Sequence, residues 1–434
     1  MYDADMGQYV MRRSNGELWG FFFDERQGLC YSTLTKRNLW ANPVALHKDA
    51  GRYFHVDMDQ EDNFHILFQD RQGNIQYSYL GEEVLKTVPI LNSKTPSDYN
   101  KHFWLAPFKN NIHIFYILQH ENSRLLAYQV LSDGKVSSPR VIDYVSGSKF
   151  PCTVLCDKTS SIYAFYQSSD GKNLQIGYKK YSPSQGTWGE FTPVTGYDGN
   201  CENPRAVMDA NGVIHLCYQR RAARLYEMVY TQKAPDRNIW SNEVLIHSSV
   251  HSFDNSSILW VNDSVIVYWI REDMIFYNAG AQSGNSWSKP LKLNFQASRQ
   301  LACLHYKSNT VYETPRIAVH NIPGIFSGSL RLAFHQHLQD NRDSLAGEDL
   351  RTLILDTLKL LKANIEELRE SEAHTREEMS RLISRYDELE KDIVKNVLRT
   401  DNLEQKLKQV NARPLETVKF KEEPGNDKRD ISHV

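Results

Sequence analysis

The chain lacks any run of eighteen or more apolar residues, so no helix of it is expected to span a bilayer. Its opening, MYDADMGQYVMRRSNGELWG, has no basic stretch followed by an apolar one, and no secretory signal is expected. Cysteine is scarce: Cys30, Cys152, Cys156, Cys201, Cys217 and Cys303, with no CxxC pair. That spacing disfavours a cysteine-based zinc site. Most of the six sit inside apolar runs such as GLCY and IHLCY, where they read as small buried hydrophobes of a reduced compartment. An excess of either charge is also missing, because 51 basic residues meet 53 acidic ones and leave a formal net charge of -2. Nucleic acid and anionic membrane therefore have no electrostatic claim on the chain. These absences predict a cytoplasmic protein with no membrane span.

What is present is enough apolar material for large cores, 41% hydrophobic and 11% aromatic. Six segments repeat an aromatic strand, a short polar turn and a second strand carrying a tyrosine: LWGFFFDERQGLCYSTL, FHILFQDRQGNIQYSYL, IHIFYILQHENSRLLAYQVL, IYAFYQSSDGKNLQIGYKKY, IHLCYQRRAARLYEMVYTQ and VIVYWIREDMIFYNAGA. The tyrosines, Tyr31, Tyr77, Tyr128, Tyr178, Tyr230 and Tyr277, recur every 46 to 52 residues, the length of a four-stranded propeller blade. Upstream of the hairpins lie expected innermost strands such as YFHVDMD, PCTVLCD and PRAVMD. Downstream lie outer strands, four of them opened by Trp40, Trp188, Trp240 or Trp287. Alternation, β-branched and aromatic enrichment and turn residues all indicate antiparallel strands. The fold class is mainly β: a β-propeller over residues 1–340, followed by a long helix. Residues 298–338 fit the hairpin pattern poorly and read as a distorted seventh blade or a closing element. Seven blades are favoured over six.

From residue 348 to 412 there is no glycine or proline, and charges of both signs interleave. One heptad register runs through this stretch. Its apolar a and d positions are Ile354, Leu358, Leu361, Ile365, Leu368, Met379, Leu382, Tyr386, Leu389, Ile393, Leu403, Leu407 and Val410. Glu372, Thr375, Asn396 and Thr400 are its polar positions. So sustained a seam predicts a coiled coil about 90 Å long, and its partner is expected to be another copy, as dimer or trimer. The charged, turn-rich tail at 413–434 reads as disordered.

Ser182 to Trp188, SPSQGTW, keeps the serine, glycine, threonine and tryptophan of an Asp-box turn, with Ser184 at the aspartate position; SGNSW, Ser283 to Trp287, is shorter. On these residues and the blade pattern the chain resembles the sialidase-like, or BNR-type, propellers. The coiled-coil appendage and strands such as IHIFY and IYAFY look like propeller proteins of spore-forming Firmicutes. The resemblance implies the fold and not the activity, because the opening Arg-Ile-Pro motif of the sialidases is missing. TPRIAV around Arg316 has the wrong order, and the Pro-Arg pairs at Arg140 and Arg205 give no further signal.

His65, His113 and His215 occupy one position in three blades, where Trp19, Tyr163 and Val265 stand elsewhere. A place that accepts His, Trp, Tyr or Val reads as inter-blade packing, so no metal and no cofactor are expected. Turn charges are the better contact candidates: Asp24 and Arg26, and above all Asp70, Arg71, Arg220, Arg221, Arg224, Arg271 and Glu272 on one rim. The leading expectation is a non-enzymatic scaffold that presents several propellers to a protein partner. A carbohydrate-binding propeller and a degenerate glycosidase are the alternatives.

Overall fold

The structure is a computed structural model. It describes residues 7–334 except 82–84, 95–98, 109–110, 148–149, 238, 254, 282–283, 285 and 296–300, and most of 376–406. The chain divides into two compact units, Met1–Asp340 and Asn341–Val434.

In the first unit the described strands form six sheets, each built around an antiparallel meander that runs outward in sequence order. The first begins with Gln8–Arg12, Leu18–Asp24, Gly28–Thr33 and Val44–His47. The second is Ala50–Met58, Phe64–Asp70, Ile75–Leu80 and Leu85–Leu91. The innermost strands of the next four are Trp104–Phe108, Cys152–Cys156, Cys201–Met208 and Ser256–Val261. Second strands such as Phe64–Asp70 and Ile162–Ser169 are buried almost end to end. Their continuous apolar runs follow from being covered on both faces by neighbouring sheets.

The packing closes a ring. Phe21 and Ile66 share a core between sheets one and two, Leu67 and Ile114 one between two and three, and Phe115 and Tyr166 one between three and four. Phe165 with Leu216 and Cys217 with Val267 continue it through sheets five and six. A sixth core joins Tyr268 of sheet six to Leu304 and Phe326 and to Val10 of sheet one. Successive meanders whose last sheet returns to the first make this unit a β-propeller.

The expectation of seven blades is corrected. Leu301–Ser308 runs parallel to Gln8–Arg12 and hydrogen-bonds to it, as Leu304 faces Gln8 and Tyr306 faces Val10. Asn321–Ile325 and Arg331–Leu332 follow, so this remnant extends the first sheet and forms no seventh one. Its short strands, with Pro323 inside the middle one, leave too few backbone donors for an independent four-stranded blade.

The repeated tyrosines and tryptophans staple neighbouring sheets. Trp188 meets Tyr128 edge-on with ring centroids 5.5 Å apart, Trp240 meets Tyr178 at 6.2 Å, and Trp287 meets Tyr230 at 4.8 Å. In each case the tryptophan belongs to the following sheet. Trp40 instead stacks on Phe326 of the remnant at 4.7 Å, which places that segment where a preceding blade would stand.

In the second unit the described residues between 376 and 406 are helical. Of the expected seam, Met379, Leu382, Tyr386, Leu389, Ile393 and Leu403 fall on this helix, and each is between 56% and 70% exposed. Ile354, Leu358, Leu361, Ile365, Leu368, Leu407 and Val410 lie outside the described residues, as does the tail at 413–434. No described helix is long and apolar enough to cross a membrane.

Candidate functional site

The six innermost strands and Leu301–Ser308 surround a central channel. Their N-terminal halves line one mouth, through Tyr9, His55, Trp104, Thr153, Arg205 and His305 among others. The C-terminal halves of all but Trp104–Phe108 and Ser256–Val261 line the other, through Met11, Asp57, Cys156, Met208 and Lys307, joined by Glu313 and by Ile317–Val319. The two cavities measure about 130 and 420 Å³ and share Tyr9, His55, Trp104, His305 and His320 in their walls. The larger lies within the size range of small-ligand sites and the smaller below it.

The two mouths differ in electrostatics. At the C-terminal mouth charges are paired: Lys307 holds Asp57 at 2.5 Å, and Glu313 takes both the Arg12 guanidinium and the Tyr306 hydroxyl. The described residues lining the N-terminal mouth include no aspartate or glutamate. They do include Arg205, whose guanidinium covers the Phe150 ring at 3.4 Å. Its Nε is buried and has no hydrogen-bond partner, and burial lowers its pKa.

Four histidines join it at this mouth. Burial, helped by His320 and Lys307, holds His55 down to about 3. Burial, with Arg124 and Arg205, holds His102 down to about 4. His305 is pushed well below the ordinary imidazole value by burial and by His55, His320 and Arg205. His320 is open to the water of the channel, which softens the penalty of the surrounding protein; burial remains the first cause of its downward shift. These imidazoles are neutral near pH 7, and Arg205 keeps its charge. Tyr9 braces the group: its hydroxyl donates to the Phe54 carbonyl at 3.0 Å, lies 3.3 Å from His55 Nδ1, and its ring stacks on His305 at 4.3 Å. Such an arrangement can hold an anion and hydrogen-bond an uncharged polar ligand. The described residues contain no group of three or more His, Cys, Asp or Glu placed to hold a metal.

The rim residues are not brought together at this channel. Asp70 caps its own turn, accepting from the Gln72 and Asn74 amides at 2.9 Å each, with Arg71 exposed beside it. Arg220 and Arg221, expected in a turn, are corrected to the end of the strand Ile214–Ala222. The long antiparallel register carries them past the expected break, since Arg220 pairs Glu227 and Arg221 pairs Tyr226 across the hairpin. Arg220 is also tied by its side chain to Glu227 at 2.8 Å and Glu243 at 2.6 Å, over the Tyr197 ring. Arg224 is exposed at the turn itself. Arg271 and Glu272 line a separate small cavity with Trp269 and His251.

The matched histidines are structural. His65, His113 and His215 each place Nδ1 2.7 Å from the hydroxyl of Tyr77, Tyr128 or Tyr230 on the next strand. Asp59 and Asp209 complete two of these clusters, at 3.2 and 3.4 Å from Nε2, while turning the backbone with their other oxygen. The aspartate six residues before the histidine was the available signal, and the hairpin reading passed over it. The channel residues were missed because His55, His305 and His320 share no repeat position and Arg205 resembles any Pro-Arg pair. At SPSQGTW the turn survives without its aspartate, as the Gly186 amide donates to the Ser182 carbonyl at 2.8 Å.

No protein-family model matches the chain, and no match is found among curated proteins. Solved structures do resemble it. A polysaccharide lyase, the PL25 ulvan lyase, superposes with a TM-score of 0.50 at 9% identity, over 76% of this chain and 94% of that one. The polysaccharide lyase Uly1 gives 0.46 at 8% identity, over 76% and 89%. The fungal lectin of Aleuria aurantia, described as a six-bladed β-propeller, gives 0.41 at 10% identity, over 69% and 98%. At such identities the likeness is one of fold. The chain is a β-propeller protein, and the resemblance to sialidase-like propellers reaches that level only.

Proposed function

We propose that the chain is a carbohydrate-binding propeller whose ligand enters the N-terminal mouth of the central channel. The wall of that mouth carries the reading. Tyr53, Phe103, Trp104 and Phe150 supply apolar ring surface, while Asn100, His55, His102, Ser257 and Arg205 supply polar groups aimed at one cavity. Walls that mix apolar rings with placed hydrogen-bonding groups suit a saccharide, which offers hydroxyls at its edge and C–H faces above and below. Glycoside hydrolysis commonly needs two carboxylates about the scissile bond, and this lining has none among its described residues, so binding is proposed and hydrolysis is not. The test is a glycan array probed with the full chain. Saturable binding that weakens in Trp104→Ala is expected, and no binding to any saccharide would sink the reading. Following the same saccharides for unsaturated ends by ultraviolet absorbance separates a lectin from a lyase, the activity named for two similar structures.

Presentation in several copies is the second proposal. Its support is the apolar stripe Met379, Leu382, Tyr386, Leu389, Ile393 and Leu403, which is exposed in the single chain at coiled-coil spacing. Association through that stripe would let weak sugar contacts add by avidity. A protein partner reached through the rim charges remains part of this proposal, with Arg71, Arg221, Arg224 and Arg271 as its exposed candidates.

A further inference from the structure

We infer that the saccharide of the N-terminal mouth carries a carboxylate, as a uronate does, and that Arg205 is the group that receives it. This inference rests on the carbohydrate reading and gives it a substrate class. The observation behind it is an imbalance of charge. Four other cations of the propeller hold acids: Arg12 with Glu313, Lys179 with Asp143 at 3.1 Å, Arg220 with Glu227 and Glu243, and Lys307 with Asp57. Arg205 has no carboxylate within ion-pair reach among the described residues, and its guanidinium lies over the Phe150 ring. The Nε donor is hidden from water and unpaired, as it is in Arg12 and Arg13, but those two guanidinium groups each reach a glutamate.

The backbone explains how the side chain comes to face the channel. Arg205 follows Pro204, and the pairing of Cys201–Met208 with its neighbour slips between Glu202 and Arg205. Such an irregularity re-aims a side chain at the end of an inner strand. Around it the neutral histidines His55, His102, His305 and His320 contribute donors and acceptors without adding charge, so Arg205 is the one charged side chain among the described residues that line this mouth. A single planar guanidinium matches a single planar carboxylate through two parallel N–H···O bonds. Phe150 lies against the guanidinium, 3.4 Å from ring centroid to guanidinium carbon.

The experiment is calorimetric titration of the full chain with a short galacturonate oligomer, its neutral galactose counterpart and a sulfated galactose oligomer. Wild-type protein should bind the uronate oligomer best. Arg205→Gln should weaken uronate binding by about 30-fold or more, the scale of losing one side of a desolvated charge pair, and weaken the neutral oligomer far less. Arg205→Lys should recover part of the loss, because charge returns without the fork. Equal binding of uronate and neutral oligomers by wild-type protein would overturn the inference while leaving the carbohydrate reading intact. Stronger binding of the sulfated oligomer would overturn the carboxylate assignment. Failure of all three oligomers, on a chain that also binds nothing on the array, removes both. The wild-type comparison stands even where Arg205→Gln fails to fold.

Discussion

Replacing Tyr128 by phenylalanine isolates one hydrogen bond at a staple between sheets three and four. The ring and its volume stay, so Phe115 and Trp188 keep their partner and no cavity opens. What is lost is the hydroxyl 2.7 Å from His113 Nδ1, and both residues are buried. A buried imidazole nitrogen left without a partner costs about 1–3 kcal/mol. Tyr128→Ala also removes the ring, and the loss should reach the roughly 3–5 kcal/mol found when a large aromatic is cut back to alanine. The fourth sheet is an internal control. Its Tyr178 faces Tyr163 and not a histidine, with ring centroids 5.8 Å apart. Tyr178→Phe should therefore cost less than Tyr128→Phe, while Tyr230→Phe, which strips the partner of His215 and the donor to Gln232 Oε1, should cost at least as much. The assay is urea unfolding of the full chain at pH 7, comparing midpoints at constant slope. The reasoning is refuted if Tyr128→Phe falls within about 0.5 kcal/mol of wild type, the range of ordinary surface changes. It is refuted equally if Tyr178→Phe is the most costly of the three.

Arg220→Ala should destabilise the propeller by roughly 1–3 kcal/mol, because it breaks charge-assisted bonds to Glu227 and Glu243, whereas exposed Arg221→Ala should stay within about 0.5 kcal/mol. Equal melting temperatures for the two variants would contradict this. Burial holds His113 down to about 4 and His55 to about 3, against 6.5 for a free imidazole. Between those values the unfolded chain binds protons that the native chain refuses. Stability should then be full above pH 6.5 and fall as pH drops toward 4, by up to about 1.4 kcal/mol per pH unit for each histidine. A urea midpoint that stays flat from pH 6.5 to 4 would count against those burials. For the helix, light scattering should give a dimer or trimer that Leu382→Asp with Leu389→Asp dissociates, and a monomeric wild type at micromolar concentration would end that proposal.

The local pattern of the chain determined its blades. Aromatic strand, turn and tyrosine strand at one period can only be buried by stacking successive hairpin units, so the propeller and its innermost strands were legible, whereas His65, His113 and His215, read as packing between blades, each bond to a tyrosine of their own sheet. Blade number was not. Whether Leu301–Ser308 begins a seventh sheet or extends the first depends on its hydrogen bonds to Gln8–Arg12, nearly three hundred residues away. The channel was hidden for the same reason. Tyr9, His55, His102, Arg205, His305 and His320 come from six different segments, and no periodicity relates them. Arg220 shows the converse, for a charge that reads as free in the sequence is bound by Glu243, twenty-three residues on. Repetition in sequence reports contacts that recur in every blade. A site at the axis is made once, from one residue of each, and only ring closure decides which side chains meet there and which cation is left without an acid.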